Sequence, residues 1–441
     1  MANSYLTHSG STPTLNTKCT LSVWIKRGIL DTDQTFCSID TDGSNEIYYR
    51  FRSDNQLQVY SQITGGQVFN YRTNRLFRDV SAWYNIVVAI DTTASSGNRM
   101  KIYVNGEQET SFQSSTEMAQ DSALGFLSGT YAIGRKNNIT GNYFDGYITH
   151  AAFVDGQQLA PTVFGETDST SGIWKFKSPS GVTWGNNGFH LKFENSGALG
   201  TDSSGNTNTF TVNGNLKQAL DTPSNNHCTF SPLHYGVTPP STTYGTFSNG
   251  NTRYASSQGG SPYPYTCSTL AASSGKWYAE FKLTRIVNSS MIGITDGDRY
   301  TYLGNSGNKD ACLFHDGNFY PGNSSFGNSF SDNDICGVAM DLDNMKVYFS
   351  KNGVWQNSGD PTSGATGTGA ANIPTGGLGQ FHFAFGDSSS NDPACSANFG
   401  NGFFGTTAIT SAGSNGNGSL FEYDVPNGYY ALNTKNLNTY G

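Results

Sequence analysis

The sequence predicts an all-β protein of two β-sandwich domains, and three observations predict it. Short runs alternate apolar and polar residues with a period of two, as in Leu21-Ser-Val-Trp-Ile, Glu46-Ile-Tyr-Tyr-Arg-Phe and Gln56-Leu-Gln-Val-Tyr-Ser, and turn-forming clusters separate them. The composition favours strands joined by tight turns: charged residues are 13% of the chain against about 25% in an average protein, while Gly (53), Tyr (24) and Phe (28) are abundant. The third observation is an internal echo. Asn85-Ile-Val-Val-Ala-Ile-Asp91 leads through a polar turn to Met100-Lys-Ile-Tyr-Val-Asn-Gly106, and Ile335-Cys-Gly-Val-Ala-Met-Asp341 leads to Met345-Lys-Val-Tyr-Phe-Ser-Lys-Asn-Gly353. Each reads as an apolar strand, a turn and a strand ending in an Asn-Gly hairpin, which points to two sandwiches of related architecture. Helical periodicity is scarce. The segment from Ser115 to Leu127 could hold a short helix, a reading that Gly125 weakens.

A chain of 441 residues exceeds one ordinary core and fits two domains with connectors. The boundary is read at the Pro, Asn and Ser-rich stretch Asp221-Thr-Pro-Ser-Asn-Asn-His-Cys-Thr-Phe-Ser-Pro-Leu-His234, followed by Thr238-Pro-Pro, because proline locks the backbone and removes donors. The expected division is a sandwich over 1–220, a connector over 221–243, a second sandwich over 244–409 and a linker with a Tyr-rich tail over 410–441. Asp360 to Gly379 reads as a long Gly, Thr and Ala loop inside the second domain.

A net charge of -8 with no basic run argues against nucleic acid as a partner, since phosphate binding needs clustered Lys and Arg. No run of about 18 apolar residues predicts membrane insertion and no heptad pattern predicts a coiled coil. The first residues lack the basic and apolar regions of a secretory signal, so the expectation is a protein made in the cytoplasm and released by lysis. Seven cysteines, without a C-x-x-C pair, read as reduced buried thiols, with a Cys312 to Cys336 bridge as the alternative. Trp24, Trp83, Trp277 and Trp355 fall on strand patterns and are expected in the core, and His150 and His382 read as satisfied core histidines.

The segment from Ser22 to about Phe164 resembles a laminin-G-like, concanavalin-type jelly roll. Ser22-Val-Trp-Ile, Trp83-Tyr-Asn-Ile-Val-Val, Lys101-Ile-Tyr-Val-Asn-Gly, Tyr131-Ala-Ile-Gly and Tyr143-Phe-Asp-Gly-Tyr-Ile carry the resemblance. Gly188-Phe-His-Leu-Lys-Phe-Glu and the following Asp202-Ser-Ser-Gly-Asn turn look like the opening strand of such a domain, so here they are expected to close the sandwich in permuted order. Residues from about Tyr244 to Phe404 resemble a SPRY domain through Gly275-Lys-Trp-Tyr-Ala-Glu-Phe, Met291-Ile-Gly-Ile, Asp334-Ile-Cys-Gly-Val-Ala-Met-Asp, Lys346-Val-Tyr-Phe-Ser-Lys-Asn-Gly-Val-Trp355 and Ala397-Asn-Phe-Gly. The join through Thr-Pro-x-Asn-Asn-x-Cys-Thr and the tail Gly428-Tyr-Tyr-Ala-Leu-Asn-Thr-Lys-Asn-Leu are similar to tail and appendage proteins of marine bacteriophages.

No chemistry-bearing constellation points to an enzyme. There is no Glu-x-Asp-x-Glu strand for glycoside hydrolysis, no Gly-x-Ser-x-Gly elbow and no phosphate-cradling loop. Asp31 and Asp33 read as turn residues; Asp40, Asp42, Asn45 and Glu46 offer hard oxygens within one turn, a solvated hairpin on the simpler reading and a calcium site on the other. No cofactor is expected. The candidate ligand-binding residues are aromatic and come from three loops: Tyr263 and Tyr265, then Arg299, Tyr300 and Tyr302, then Phe319, Tyr320 and Phe326. Rings stack on sugar C–H faces while neighbouring Asn, Asp and Gly groups bond the hydroxyls, and the same composition serves protein contacts. Each tyrosine can equally pack beneath its own loop.

These readings give a non-enzymatic bacteriophage virion surface protein, a tail fibre or appendage binding a host surface glycan or protein. A capsid decoration or head-fibre protein is the structural alternative, and a polysaccharide depolymerase is the enzymatic one. The expected partners are other virion proteins and the host surface, and a homotrimer is expected by analogy with tail fibres alone.

Overall fold

Alternating residues build a sandwich when two sheets bury their apolar parities against each other, and this happens twice in the computed structural model, which describes residues 3–233, 245–257, 263–297, 302–305, 307–388 and 392–441. The chain divides into two compact units, Met1–Gln218 and Ala219–Gly441.

The first unit contains β1 (Tyr5–Ser9), β2 (Lys18–Arg27), β3 (Gln34–Asp40), β4 (Glu46–Phe51), β5 (Gln56–Ile63), β6 (Gly66–Leu76), β7 (Trp83–Asp91), β8 (Met100–Val104), β9 (Glu107–Gln108), β10 (Phe112–Thr116), β11 (Thr130–Ile133), β12 (Gly146–Asp155), β13 (Gly165–Thr167), β14 (Trp174–Phe176), β15 (Phe189–Leu191) and β16 (Thr211–Asn213). One sheet has the order β10-β6-β5-β4-β3-β11-β1-β16 and the other β15-β12-β2-β7-β8-β9. Leu21, Val23, Ile25, Tyr49, Phe51, Val59, Ile86 and Phe153 lie among the residues of the core between them. The late segment closes both sheets: β15 pairs with β12 and β16 with β1.

The second unit contains β17 (Gly245–Ser248), β18 (Arg253–Ser256), β19 (Tyr265–Cys267), β20 (Lys276–Arg285), β21 (Ser290–Thr295), β22 (Ala311–Phe314), β23 (Asn318–Tyr320), β24 (Ser324–Ser325), β25 (Ile335–Asp341), β26 (Lys346–Lys351), β27 (Val354–Trp355), β28 (Ala371–Asn372), β29 (His382–Asp387), β30 (Ala394–Asn398), β31 (Phe403–Phe404), β32 (Thr407–Ala408), β33 (Tyr430–Ala431) and α1 (Thr434–Tyr440). Its larger sheet runs β17-β18-β30-β20-β25-β26-β27 and its smaller one β19-β29-β21-β22-β23-β24. Trp277, Phe281, Val338, Phe349, Phe383 and Phe399 fill the space between them.

The echo in the sequence occupies matching places. The order β12-β2-β7-β8-β9 in the first unit corresponds to β30-β20-β25-β26-β27 in the second, antiparallel throughout. Asn105 and Gly106 at one turn, and Asn352 and Gly353 at the other, have positive φ (49° and 82°, 50° and 81°), the conformation that a two-residue hairpin of matching twist requires. Each asparagine turns its side-chain oxygen back to the amide opening its hairpin: Asn85 N donates to Asn105 Oδ1 and Ile335 N to Asn352 Oδ1, both at 2.8 Å. At the far end Asp91 pairs with Lys18 at 2.9 Å and Asp341 with Lys276 at 3.0 Å.

A later segment also covers the outer side of each echoed hairpin. In the first unit Leu159, Val163, Phe164, Val182 and Trp184 pack on Val87, Ala152 and Val154, and the Trp174 indole donates to Asn85 Oδ1 at 3.0 Å while its ring lies where a Gly106 side chain would sit. In the second, Phe421, Val425 and Tyr429 pack on Tyr278, Ala339 and Tyr348, and Tyr423 lies against Gly353.

Several expectations need correction. Ser115 to Leu127 holds no helix: Phe112–Thr116 pairs with β6, and Met118, Leu124, Phe126 and Leu127 reach the core from irregular backbone. The α-helix is instead Thr434–Tyr440, capped by the Asn433 side chain, which accepts from Asn436 N. Residues 410–441 are part of the second unit rather than a linker, because Phe421, Val425 and Tyr429 are buried and β33 pairs parallel with β20. The connector residues Cys228 and Phe230 are core members as well, while 234–243 lie outside the described residues. Trp24, Trp83 and Trp277 are buried, but Trp355 is half-buried on the outer face, edge-on to Tyr278 and Tyr348. All seven cysteines are free and buried. The alternative bridge does not form: Cys312 packs in the cluster of Tyr265, Cys267 and Met291, and Cys336 in the separate core of Phe281, Val338 and Phe349. The side chain of His382 is hydrogen-bonded to Ser268 O at 2.7 Å, whereas the buried Nδ1 of His150 has no hydrogen-bond partner among the described residues.

The two covering segments rest on buried titratable groups of opposite consequence. Glu280 is fully buried and accepts from Glu422 N and Tyr423 N, both at 2.8 Å, from Tyr278 Oη at 3.2 Å and from Asn398 Nδ2 at 3.3 Å. Burial pushes its carboxyl up to about 7 against those donors. Because the folded state then holds the proton more tightly than the unfolded chain, the contribution of Glu280 is full below about 4.5 and is lost as pH rises through about 7. His150 stacks on Phe176 with ring centroids 3.5 Å apart and His190 lies along Trp184 at 5.8 Å. Burial lowers their pKa values to about 3 and about 4, assisted by Lys192, with Asp202 opposing at His190. Their contribution is present above the ordinary histidine value of 6.5 and is lost as pH falls toward 3.

Two outcomes are expected. Glu280→Gln removes a stability decline of about 3 kcal/mol between the lower and upper limits of its window, read as the difference between variant and parent melting curves across pH. In hydrogen exchange, acidification from neutrality lowers the protection of residues 159–187 but not that of 410–431, and H150F/H190F abolishes that loss.

Candidate binding face

The outward parity of the eight-stranded sheet gathers polar and aromatic side chains that the inward parity excludes. Tyr48 stands opposite Ser38 and Tyr60, Tyr60 opposite Asn70, and Arg50 opposite Gln58, which stands opposite Arg72. Their chain neighbours Ile47, Tyr49, Leu57 and Val59 point into the core. Register across β4 and β5 is fixed by the turn at Asn55, whose φ of 65° is left-handed. Asn55 is itself held from within. The buried Arg27 guanidinium donates to Asn55 Oδ1 at 3.0 Å, to Phe77 O at 2.6 Å and to Ile29 O at 3.3 Å, and Asn55 Nδ2 donates to Asp31 at 2.7 Å. Burial lowers the Arg27 pKa to about 10, and the side chain remains charged at neutral pH.

On the face, Tyr48 and Tyr60 stack at 5.0 Å with 22° between their planes. The cations Lys136 and Arg50 lie 4.6 and 5.1 Å from the Tyr48 ring centroid. Arg50 donates to Asp33 Oδ2 at 2.7 Å and to Gln58 Oε1 at 2.8 Å, and Gln58 Nε2 donates onward to Asn70 Oδ1 at 2.8 Å. Arg72 donates to Gln56 and Asp54, and Lys136 pairs with Glu46 at 2.9 Å. Burial raises the Glu46 carboxyl and Lys136 opposes the rise. Burial also works upward on Asp54, yet the Gln56 amide with Arg72 and Arg52 holds it below the usual carboxylate range. Burial pushes the Tyr48 phenol up to about 12, so it stays a neutral donor.

Beside this ladder lies a cleft of about 510 Å³ lined by Thr32, Asp33, Gln34, Asn142 and Tyr143 among others. Tyr143 is 6.1 Å from Tyr5, whose ring carries the Arg135 guanidinium at 3.6 Å. The combination supplies flat rings, fixed amides and carboxylate oxygens in one half-exposed strip, which suits a ligand rich in hydroxyl groups. The oxygens proposed for calcium are otherwise engaged: Asp42 Oδ1 accepts from the amides of Ser44 and Asn45, Asp40 Oδ1 from Gly43 N, and Glu46 from Lys136.

The loop aromatics read from the sequence are partly dispersed. Tyr265 is wholly buried with Cys267, Met291, Leu303 and Cys312, because β19 pairs along β29 and its side chains are enclosed. It cannot meet a ligand. Phe326 is also buried, edge-on to Phe349 at 5.8 Å, and Phe319 packs on both. Tyr263 and Tyr302 do come together, half-buried, with centroids 6.1 Å apart, and Tyr320 is half-buried against Phe314 at 5.3 Å. Arg299 and Tyr300 lie outside the described residues. Sequence reasoning missed the sheet face although its parity was readable at Glu46, Tyr48 and Arg50 and again at Gln56, Gln58 and Tyr60; the cross-strand neighbours were not.

Residues 1–163 match the family model described as the concanavalin A-like lectin/glucanases superfamily, Laminin_G_3. No curated protein sequence matches the chain. Similar solved structures include the SPRY domain of human HERC1, at 15% identity over 38% of this chain and 96% of that one with a TM-score of 0.30. They also include the native heptameric SAP-like pentraxin from Limulus polyphemus, at 17% identity over 36% and 71% of the two chains with a TM-score of 0.28. The first unit thus carries a concanavalin A-like domain of the laminin G kind, within a chain that is almost wholly β.

Proposed function

We propose that this chain is a non-enzymatic recognition protein of a bacteriophage virion, a tail fibre or appendage whose first unit binds a glycan of the host surface. The observation that carries the binding is the strip of stacked tyrosines and hydrogen-bonded amides on the outward face of the eight-stranded sheet. Sugars need apolar ring faces and oriented polar groups together, and a family model whose description names lectins and glucanases matches this part of the chain. The carboxylates of the strip act as acceptors for Arg50, Arg72 and Lys136, a structural use that favours binding over bond cleavage. The viral attribution rests on the similarity of the Thr-Pro-x-Asn-Asn-x-Cys-Thr join and the tail to marine phage appendages. Tyr263, Tyr302 and Tyr320 offer the second unit a smaller contact patch. Many copies on one particle convert weak single contacts into firm attachment through effective concentration.

The purified full chain, presented multivalently, is expected to bind host envelope fractions and to be eluted by soluble envelope polysaccharide. Folded protein that binds no envelope fraction, with immunogold placing it on the capsid, overturns this reading in favour of a decoration protein.

A further inference from the structure

The charges of the sheet face are spent on one another. Arg50 is paired with Asp33 at 2.7 Å, Lys136 with Glu46 at 2.9 Å, and Arg72 and Arg52 with Asp54. With Asp40, which stands opposite Glu46, this makes four cations and four carboxylates on or beside the strands. A polyanionic chain gains from such a surface only by breaking these pairs, and a bound uronate would approach Asp33 and Glu46 as well. Arg135, a further cation beside the face, has no carboxylate pair among the described residues and is engaged by the Tyr5 ring at 3.6 Å and by Asn137 Oδ1 at 3.2 Å.

Resting on the glycan-binding reading above, we infer that the ligand of this face is an uncharged polysaccharide, stacked on Tyr60 and hydrogen-bonded by Asn70 and the Asp33 cleft. Tyr60 is the half-buried member of the tyrosine stack, so part of its ring is open to a sugar beside Asn70. Asn70 is half-buried and its Oδ1 is fixed by the Gln58 amide, itself held by Arg50, so its side-chain amide meets a hydroxyl without first being ordered.

The test uses the full chain on immobilised neutral glucan and galactan and on uronate polymers, at about 0.05 and about 0.5 M salt. The expected result is binding to a neutral polymer that changes less than about twofold with salt, falls about tenfold in Tyr60→Ala and is restored in Tyr60→Trp. The Trp variant separates lost stacking from lost folding. Binding confined to uronate polymers, falling steeply with salt and abolished by Arg135→Gln, overturns the inference while leaving glycan recognition standing. Retention on host cells with no polysaccharide of either kind bound overturns both.

Discussion

Arg27 is buried in the first unit without a close carboxylate partner, and its guanidinium spends its donors on Asn55, Ile29 and Phe77. Charge in the interior is tolerated when it is hydrogen-bonded, and here Nη1 and Nη2 meet the oxygens of Asn55, Phe77 and Ile29 while the group lies 4.6 Å from the Phe51 ring centroid and Nε has no hydrogen-bond partner among the described residues. The clamp holds Asn55 in its left-handed conformation and so sets the register of β4 against β5. A strand slipped by one residue exchanges its two faces completely. Tyr49, Phe51 and Val59 stay inside, and Tyr48, Arg50, Gln58 and Tyr60 stay outside, because this turn cannot shift.

The same constraint recurs at the Asn-Gly hairpins of both units, where an asparagine side chain ties the turn to the first strand at 2.8 Å. Two sandwiches are thus built on one local device, and each adds a late segment over the outside of that hairpin. The covering segments differ in what holds them. Histidines stacked on Phe176 and Trp184 do so in the first unit, and a buried glutamate that gathers backbone amides does so in the second. Both place an ionisable group where water is excluded, and the signs of their responses to pH are opposite because burial favours the neutral form of each.

In the proposed reading, binding and folding share side chains on the outward face of the larger sheet. The pairs Arg50–Asp33 and Lys136–Glu46 order the strip, and the ordered strip is what a ligand with many hydroxyl groups can use at low entropic cost. Preorganisation of this kind would let a shallow surface, with a cleft of only about 510 Å³, carry the recognition proposed for it.

Period-two alternation, turn residues and the repeated Val-Ala-x-Asp and Asn-Gly elements were sufficient to read an all-β chain with two related sandwiches, because parity and turn chemistry are local properties. The closing role of the segment that begins at Gly188 was legible only through its resemblance to the strand and turn that usually open such a domain. Locality also explains the failures. Tyr265 lies in a loop-like Tyr-Pro-Tyr run yet is enclosed by Met291 and Cys312, residues distant in sequence. Phe421 and Tyr429 looked like tail residues until they met Tyr278 and Tyr348. By itself the sequence determined which residues share a strand face; the tertiary structure decided which faces meet, which rings stay at the surface and which charges neutralise one another, since those depend on pairing between strands tens to hundreds of residues apart.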